Sequence, residues 1–211
     1  MSSLVKRIDQ IIEERSLLKH PFYEMWSDGK LELDSLKGYS KEYYQLVKQV
    51  PQFMEPMVHG ATSDMKDELT QNMKEESDHI PLWEKFAGSM GISESELQAY
   101  EGLEKTKKAV SNLGSLMDSL DNGACAMYAF EKEIPKISKT KLEGLKEFYG
   151  IDSKDAVEYF EEHMIADIRH AASWEKIINN TSTDDSVMLS TAEKSVSAQN
   201  LLLDSCYETY C

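Results

Sequence analysis

One stretch of the chain carries polar residues where an apolar helix face should run. Between residues 153 and 178 the periodicity is helical, and steps of four and three residues trace one row: Ala156, Phe160, His163, Asp167, His170, Trp174 and Ile177. Both ends of the row are apolar, so it should face the core, yet its middle is His, Asp, His. Because burying a carboxylate without a partner costs several kcal/mol, something must compensate it. A metal ion held by the imidazoles and the carboxylate of one helix face would do so.

Two further predicted helices place ligand-type side chains on rows that should face the core. Glu131 is the one polar member of an otherwise apolar row. In the third predicted helix, Glu75 and Glu76 precede His79 by four and three residues, and either spacing puts a carboxylate beside the imidazole. Together the three helices offer three histidines and three carboxylates, a set that suits two iron or manganese ions bridged by carboxylates. A structural zinc ion is a poor match, since no thiolate takes part.

Each of these signals also has an ordinary structural explanation. The HxxxDxxH pattern alone could be a hydrogen-bonded His–Asp pair. Glu131 alone could be a buried acid paired with an arginine or a tyrosine, and the acids before His79 could lie on a solvated face. Their combination on core-facing rows of separate helices favours the two-metal site. The residues alone leave the choice between Glu75 and Glu76 open.

Helices must position these side chains, because the periodicity is helical nearly throughout and no run alternates long enough for a strand. With only 10 glycines and 5 prolines, the sequence predicts an all-α fold, a compact bundle of seven to eight helices with short loops. We expect a single domain over 1–211, with the core at about 2–178, a polar linker at 179–186 and a C-terminal helix at 187–207. Whether that last helix packs on the bundle or extends from it stays open.

Prolines set several of the predicted helix boundaries. Pro51 interrupts the second helical stripe, and Pro135 stops the helix that carries Glu131. The third helix should end near His79, with Pro81 opening a further turn.

Composition narrows the choice of partners. The 211 residues include 38 Asp and Glu against 23 Lys and Arg, a formal charge of −15. This charge disfavours nucleic acid, whose phosphates need clustered Lys and Arg, and it equally disfavours an anionic membrane surface. No stretch approaches a membrane span, and the N-terminus lacks the apolar core of a signal peptide. Three cysteines without a CxxC pattern fit a reduced cytoplasm.

Five segments together carry a family resemblance. They are, in chain order, HPFYEMWSDGKL, YSKEYYQLV, EESDHIPLW, AMYAFEKEIPKI and YFEEHMIADIRHA. The combination resembles the TenA/PqqC superfamily with the heme-oxygenase-like fold, and within it the CADD-like branch of di-metal oxidases, over about residues 4–178. The resemblance implies six metal ligands: Glu75, His79, Glu131, His163, Asp167 and His170. The segment between the first two of these is shorter here than in those relatives.

Members of this branch are implicated in making para-aminobenzoate, a folate precursor, by a self-sacrificing reaction. The resemblance implies that two metal ions, iron or manganese or both, use O2 to oxidise and excise an internal tyrosine, with an internal lysine as the amino donor. The matching residues are Tyr23 and Lys141. A second tyrosine of some relatives is Phe130 here, and Tyr128 is a nearby candidate to replace it. The resemblance further implies a homodimer and an external reductant.

The residues by themselves allow plainer interpretations and other functions. Without the resemblance, Tyr23 is equally an ordinary core aromatic, and Lys141 is a solvated surface lysine. An oxidase that acts on an external small molecule would use the same metal site. A metal-free TenA-like hydrolase would use Cys125 as its nucleophile, although a small buried residue is the simpler interpretation of that cysteine. A non-enzymatic interaction protein is the fourth alternative.

Overall fold

The computed structural model describes residues 2–211, and every regular element in that range is helical. A short 3-10 turn, Leu17–Lys19, follows the first helix. The eleven α-helices are α1 Ser3–Glu14, α2 Pro21–Ser27, α3 Leu33–Val47, α4 Val50–Gly60, α5 Ser63–Ser89, α6 Glu94–Ala99, α7 Glu104–Gly114, α8 Leu120–Glu131, α9 Ile134–Phe148, α10 Lys154–Asn180 and α11 Asp185–Tyr210.

The all-α prediction is confirmed, while the helix count is higher than the seven to eight expected. Two of the eleven helices, α2 and α6, have only 7 and 6 residues. Helices of about two turns or fewer are too short to show a clear apolar period in the sequence.

Prolines behave as predicted at two of the three expected boundaries. Pro51 and Pro135 each lie in the first turn of a helix, where no backbone N–H is needed. Pro81 instead lies inside α5, which continues to Ser89, so the predicted end near His79 is wrong. Burial of Trp83 and Phe86 beyond the proline offsets the lost backbone hydrogen bond, which costs about 3 kcal/mol.

The C-terminal helix is longer than predicted and packs on the bundle. The expected linker at 179–186 shrinks to residues 181–184, because α10 extends to Asn180 and Asp184 accepts a hydrogen bond from the backbone N–H of Ser186 to cap α11. Helix α11 lies against α7, α8, α3 and α1. The Ser195 hydroxyl donates to the Ala126 carbonyl at 2.8 Å, which joins α11 to α8 within the core.

Three helices meet where the sequence predicted the metal ligands. Helix α10 packs along α5, α8 and α9, so the predicted ligand-bearing faces of α5, α8 and α10 point at one another. Among residues 2–211, none of the helices combines the length and the apolar character that a bilayer crossing requires.

Candidate metal centre and the adjoining lysine chamber

Six buried side chains from α5, α8 and α10 converge in the core and form what we call the acid–histidine cluster. Its ligand-type atoms fall into two groups, and within each group they lie within 4.8 Å of one another. The first group is Glu76, His79 and His163. The second group is Glu76, Glu131, Asp167 and His170. Glu76 is common to both groups, so the cluster has two adjoining positions for a cation.

Several polar atoms of the cluster make no hydrogen bond. Their chemical nature shows whether metal ions would fit there. Among residues 2–211, seven buried side-chain atoms lack a hydrogen-bond partner, and six of them belong to the cluster: Oε1 of Glu76, Nδ1 of His79, Oε1 of Glu131, both carboxylate oxygens of Asp167 and Nδ1 of His170. Some of these atoms face one another, as His170 Nδ1 and Glu76 Oε1 do at 3.2 Å, but none makes a hydrogen bond of good geometry. A buried polar atom without a hydrogen bond costs about 1–3 kcal/mol. Imidazole nitrogens and carboxylate oxygens are ligands that iron and manganese accept. The cluster therefore fits two divalent cations, whose binding would satisfy these atoms.

The structure places Glu76 in the cluster, whereas the family resemblance had indicated Glu75. The carboxylate of Glu75 is partly exposed, where it pairs with Arg169 at 3.2 Å and contacts Nε2 of His170 at 2.8 Å. Although burial works against it, hydrogen bonds from Gln71, His170 and Arg169 lower the pKa of Glu75 to about 2. The charge of Glu75 is thus compensated at the edge of the cluster by Arg169 and His170, whereas the charge of Glu76 faces only the imidazoles of the cluster itself.

The helical periodicity of α5 places Glu76, and not Glu75, on the buried face of the helix. In an unbroken helix the buried row runs through Leu69, Asn72, Glu76, His79 and Trp83 in steps of three and four. Glu75 is rotated by one residue away from that row. The periodic row, extended past Asn72, was a sequence signal that favoured Glu76.

Burial and mutual contact shift the pKa values of groups in the cluster. Burial and the neighbouring acids raise the pKa of Glu131 well above its usual range, although Trp174 donates to its Oε2 at 2.6 Å. Burial would lower the pKa of His170, but contacts with Asp167 and Glu76 raise it to about 11. Without a cation, protons must be shared among the acids and imidazoles so that the neighbouring carboxylates do not repel one another.

The orientation of His163 is fixed by its own helix. Its Nδ1 lies 2.7 Å from the Tyr159 carbonyl, one turn earlier, so a proton on Nδ1 leaves Nε2 free as a ligand atom. The Tyr159 ring stacks on the imidazole at 3.9 Å between centroids, and the His79 ring lies 4.2 Å from it. Such support limits rotation of the ring, as a metal ligand needs.

A second enclosed space, the lysine chamber, adjoins the cluster. The cavity beside the cluster and the cavity beside Lys141 share five lining residues: Tyr43, Leu46, Phe130, Ile134 and Tyr159. The lysine chamber leaves about 20 Å³ for the centre of a water-sized molecule, so it is nearly filled by side chains. These shared residues form the wall between the cluster and the chamber.

Tyr23 and Lys141, the two residues named by the family resemblance, meet inside this chamber. Lys141 Nζ lies 4.9 Å from the ring centroid of Tyr23, and the rings of Tyr39 and Tyr43 lie 4.8 and 5.0 Å from it. Lys141 is only 4% exposed, so the interpretation as a solvated lysine is wrong. Burial, with no carboxylate in contact, lowers the pKa of this amine to about 7.

Tyr39 connects the two residues, a role that sequence reasoning missed. The Lys141 amine donates a hydrogen bond to the Tyr39 hydroxyl, and that hydroxyl lies 3.1 Å from the hydroxyl of Tyr23. Burial raises the pKa of the three phenols nearest to Lys141, those of Tyr23, Tyr39 and Tyr43, so each stays protonated at neutral pH. The sequence placed Tyr39 and Tyr43 on a helical stripe but gave no sign that the stripe faced a lysine.

Tyr128, the candidate to replace the tyrosine that some relatives have at the position of Phe130, lies outside both cavities. Phe130 lines both cavities, while the Tyr128 hydroxyl donates to Asp9 of α1 at 2.8 Å and lines neither. Tyr43 and Tyr159 are the phenols that lie between the cluster and the lysine chamber.

Cys125 lacks the properties of a nucleophile. It is fully buried, its thiol donates to the Met188 carbonyl at 3.1 Å, and burial raises its pKa to about 12. A thiol with so high a pKa holds almost no reactive thiolate at neutral pH. The simpler interpretation of Cys125, a small buried residue, agrees with this environment.

Comparison with known proteins agrees with the fold and the cluster. Residues 37–199 match the model of a family described as iron-containing redox enzymes. The 4-aminobenzoate synthase of Chlamydia muridarum is 35% identical over 202 residues, covering 92% of this chain and 85% of the relative. The 4-aminobenzoate synthase of Nitrosomonas europaea is 29% identical, covering 98% and 92%. The chain belongs to this family of iron-containing redox enzymes and is an oxidoreductase.

Solved structures show the same architecture. A TenA homolog from Pseudomonas syringae superimposes with a TM-score of 0.85 at 16% identity, covering 98% of this chain and 93% of the other. A CADD-like protein from Nostoc punctiforme gives a TM-score of 0.77 at 20% identity, covering 99% and 97%. The resemblance to the TenA and CADD-like proteins drawn from the sequence is confirmed.

Proposed function

We propose that this protein is a di-metal, O2-dependent 4-aminobenzoate synthase that excises the side chain of its own Tyr23 and takes the amino nitrogen from Lys141. The observation that carries the proposal is the contact of a buried lysine with Tyr23 in a chamber one side chain away from the acid–histidine cluster. The names of the relatives support the product. The family description supports iron.

The cluster is where we propose that two ions, iron or manganese or both, bind. Glu76, His79 and His163 would hold one, and Glu131, Asp167 and His170, again with Glu76, would hold the other. Three carboxylates against two divalent ions leave a nearly neutral site, which suits a water-poor interior. When bound, the ions would supply the reduction of O2 that makes the oxidation of a phenol possible.

The protein's own residues prepare the lysine chamber for that oxidation. Because the pKa of Lys141 is lowered to about 7, much of this amine is neutral at neutral pH and keeps its lone pair. The Tyr39 hydroxyl holds the amine and the Tyr23 hydroxyl in one hydrogen-bonded chain, along which a proton can pass. Most residues that line the chamber are buried, so a reactive species would be shielded from side reactions with water.

The mass of the intact chain tests this function. Apo protein incubated with Fe(II), a reductant and O2 should lose the hydroxybenzyl group of Tyr23 and the side-chain nitrogen of Lys141 from its mass, and 4-aminobenzoate should form at no more than one per chain. Unchanged mass with many turnovers of an added small molecule would contradict the proposal and favour an oxidase with an external substrate. Tyr23→Phe serves as the control that retains the fold.

We further propose that the chain works in the cytoplasm as a homodimer, draws electrons from an external reductant, and binds neither nucleic acid nor membrane. Three free cysteines support a reducing compartment. The net charge of −15 supports the absence of polyanionic partners.

A further inference from the structure

A surface cavity between α5 and α10, which we call the acidic vestibule, leads from solvent towards the acid–histidine cluster. Its volume is about 380 Å³, far larger than the space inside the lysine chamber. The lining residues that matter here are Glu75, Asp78, His79, Glu158, Glu162 and Arg169. Four of these six are carboxylates and one is a cation.

His79 belongs both to the vestibule and to the cluster. Its imidazole lines the vestibule and is a member of the first ligand group, although the residue is only 5% exposed. Its Nδ1 is buried and has no hydrogen-bond partner. Deeper members of the cluster, such as Asp167 and Glu131, line the enclosed inner cavity instead. A cation arriving through the vestibule would therefore meet His79 before the deeper ligands.

Glu75 gives the vestibule a second link to the cluster. Its carboxylate extends from the vestibule wall to Nε2 of His170, 2.8 Å away, and Arg169 covers it from the solvent side. The acid that the family resemblance assigned as a ligand thus lies on the path between solvent and the second ligand group.

The charge of the vestibule comes mainly from two acids that the protein leaves uncompensated. Glu158 pairs with Lys85 at 2.9 Å and with Lys154 at 3.6 Å. Asp78 and Glu162, by contrast, form no ion pair among residues 2–211.

We propose that the acidic vestibule is the path by which divalent metal ions enter the apo protein, with Asp78 and Glu162 attracting them and His79 receiving them. The proposal rests on the metal site proposed above. A cleft lined by one sign of charge raises the local concentration of counter-ions and their association rate, and salt weakens the effect. Carboxylates on the way can replace part of the hydration shell of the ion before it reaches the buried ligands.

The rate of Mn(II) uptake tests this path independently of activity. Apo protein is mixed rapidly with Mn(II), and the loss of the free-ion EPR signal is followed where the rate rises linearly with metal concentration. The double variant Asp78→Asn/Glu162→Gln should take up Mn(II) roughly tenfold more slowly at low salt, with a smaller difference at high salt. The final number of bound ions should equal that of the wild type.

A matched control separates the vestibule from general surface charge. Asp67→Asn/Glu161→Gln removes two exposed acids from the same two helices outside the vestibule, and its uptake rate should equal that of the wild type. The single variant Glu162→Gln should take up Mn(II) more slowly than the wild type. Glu162→Asp, which retains the charge, should recover most of the wild-type rate.

Three outcomes would overturn the path, and they can be told apart. An unchanged uptake rate in Asp78→Asn/Glu162→Gln, or equal slowing in both double variants, refutes the vestibule while leaving the metal site intact. A wild-type protein that binds no Mn(II) and no Fe(II) refutes the metal site itself, and the vestibule with it.

Discussion

The acid–histidine cluster and the lysine chamber adjoin each other, but they accommodate buried polar groups in opposite ways. The cluster gathers three carboxylates and three imidazoles and leaves six of their atoms without hydrogen-bond partners. The lysine chamber buries a single amine, and its Nζ lies within 6 Å of the centroids of five aromatic rings. One region retains charge that a cation would compensate, and the other removes charge by lowering the pKa of the amine.

This difference indicates separate tasks. Uncompensated ligand atoms are useful when an ion is to be bound, whereas a neutral buried amine is useful when nitrogen is to react. The five residues shared by the two cavities hold the regions in contact and keep bulk water out of both. Variants that change one region and spare the other therefore test the comparison.

The largest expected effect concerns the two neighbouring acids of α5. Glu76→Gln should strongly reduce the binding of both ions, because Glu76 belongs to both ligand groups. Glu75→Gln should retain both ions and weaken their affinity by roughly 10- to 100-fold, as expected for a residue that contacts a ligand rather than the metal. Metal content after gel filtration and Mn(II) titration measure both. Equal loss of metal in the two variants would contradict the assignment of Glu76.

The next effect is confined to the lysine chamber. Tyr23→Phe should abolish 4-aminobenzoate formation, since the phenol is the proposed source of the ring, yet leave metal content unchanged. The lost hydroxyl contact with Tyr39 should cost about 1 kcal/mol of stability. Product analysis and metal analysis on the same sample separate the two results. Product formation by Tyr23→Phe would exclude Tyr23 as the precursor.

Lys141 should make stability depend on pH. Its pKa falls from 10.5 to about 7 on folding, so the unfolded chain binds this proton more readily than the folded chain. Stability should therefore fall as the pH is lowered from about 10 to about 7, and it should change little from this source below that. Lys141→Met should be more stable than wild type by a few kcal/mol at pH 7 and by less at pH 10. Urea unfolding at the two pH values checks this, and a pH-independent difference would contradict it.

Lys141 should also govern the pH dependence of the reaction. If the neutral amine is the nitrogen donor, product yield should rise as the pH increases through about 7, where this amine loses its proton. Metal-loaded samples with equal metal content at each pH are needed for the comparison. A yield that falls over this range would contradict a neutral amine as the donor.

The smallest effect is expected at Cys125. Cys125→Ala should leave product yield and metal content unchanged and cost about 1 kcal/mol of stability, because the thiol only fills space and contacts the Met188 carbonyl. Thermal unfolding and product analysis measure the two quantities. Loss of all activity in this variant would revive the hydrolase alternative.

The sequence predicted the cluster far better than the lysine chamber. Polar residues on apolar helical rows are conspicuous, and helical periodicity alone places His163, Asp167, His170 and Glu131 on core-facing rows of two helices. The residues alone left Glu75 and Glu76 as alternatives, and Glu75 came from the family resemblance, whereas the helix break expected at Pro81 was wrong. Helical periodicity cannot show that core packing carries a helix through a proline.

The lysine chamber could not be deduced from local sequence. Lys141 lies in the segment KTKLEGL, whose charges are typical of a solvated helix face. Its burial depends on where α2 and α3 place the rings of Tyr23 and Tyr39, and these contacts join residues more than 100 positions apart. Only the family resemblance named Lys141, and only the structure showed why this amine can be neutral.

Isotope labelling tests most directly whether the cluster and the lysine chamber act on each other within one chain. Protein made with ring-¹³C tyrosine and ε-¹⁵N lysine is loaded with Fe(II) or Mn(II) and exposed to O2 and a reductant in unlabelled buffer. The proposed reaction predicts 4-aminobenzoate that carries both labels, with the ¹³C lost from residue 23 in the peptide map. Unlabelled product, or repeated turnover by a chain of unchanged mass, would contradict it.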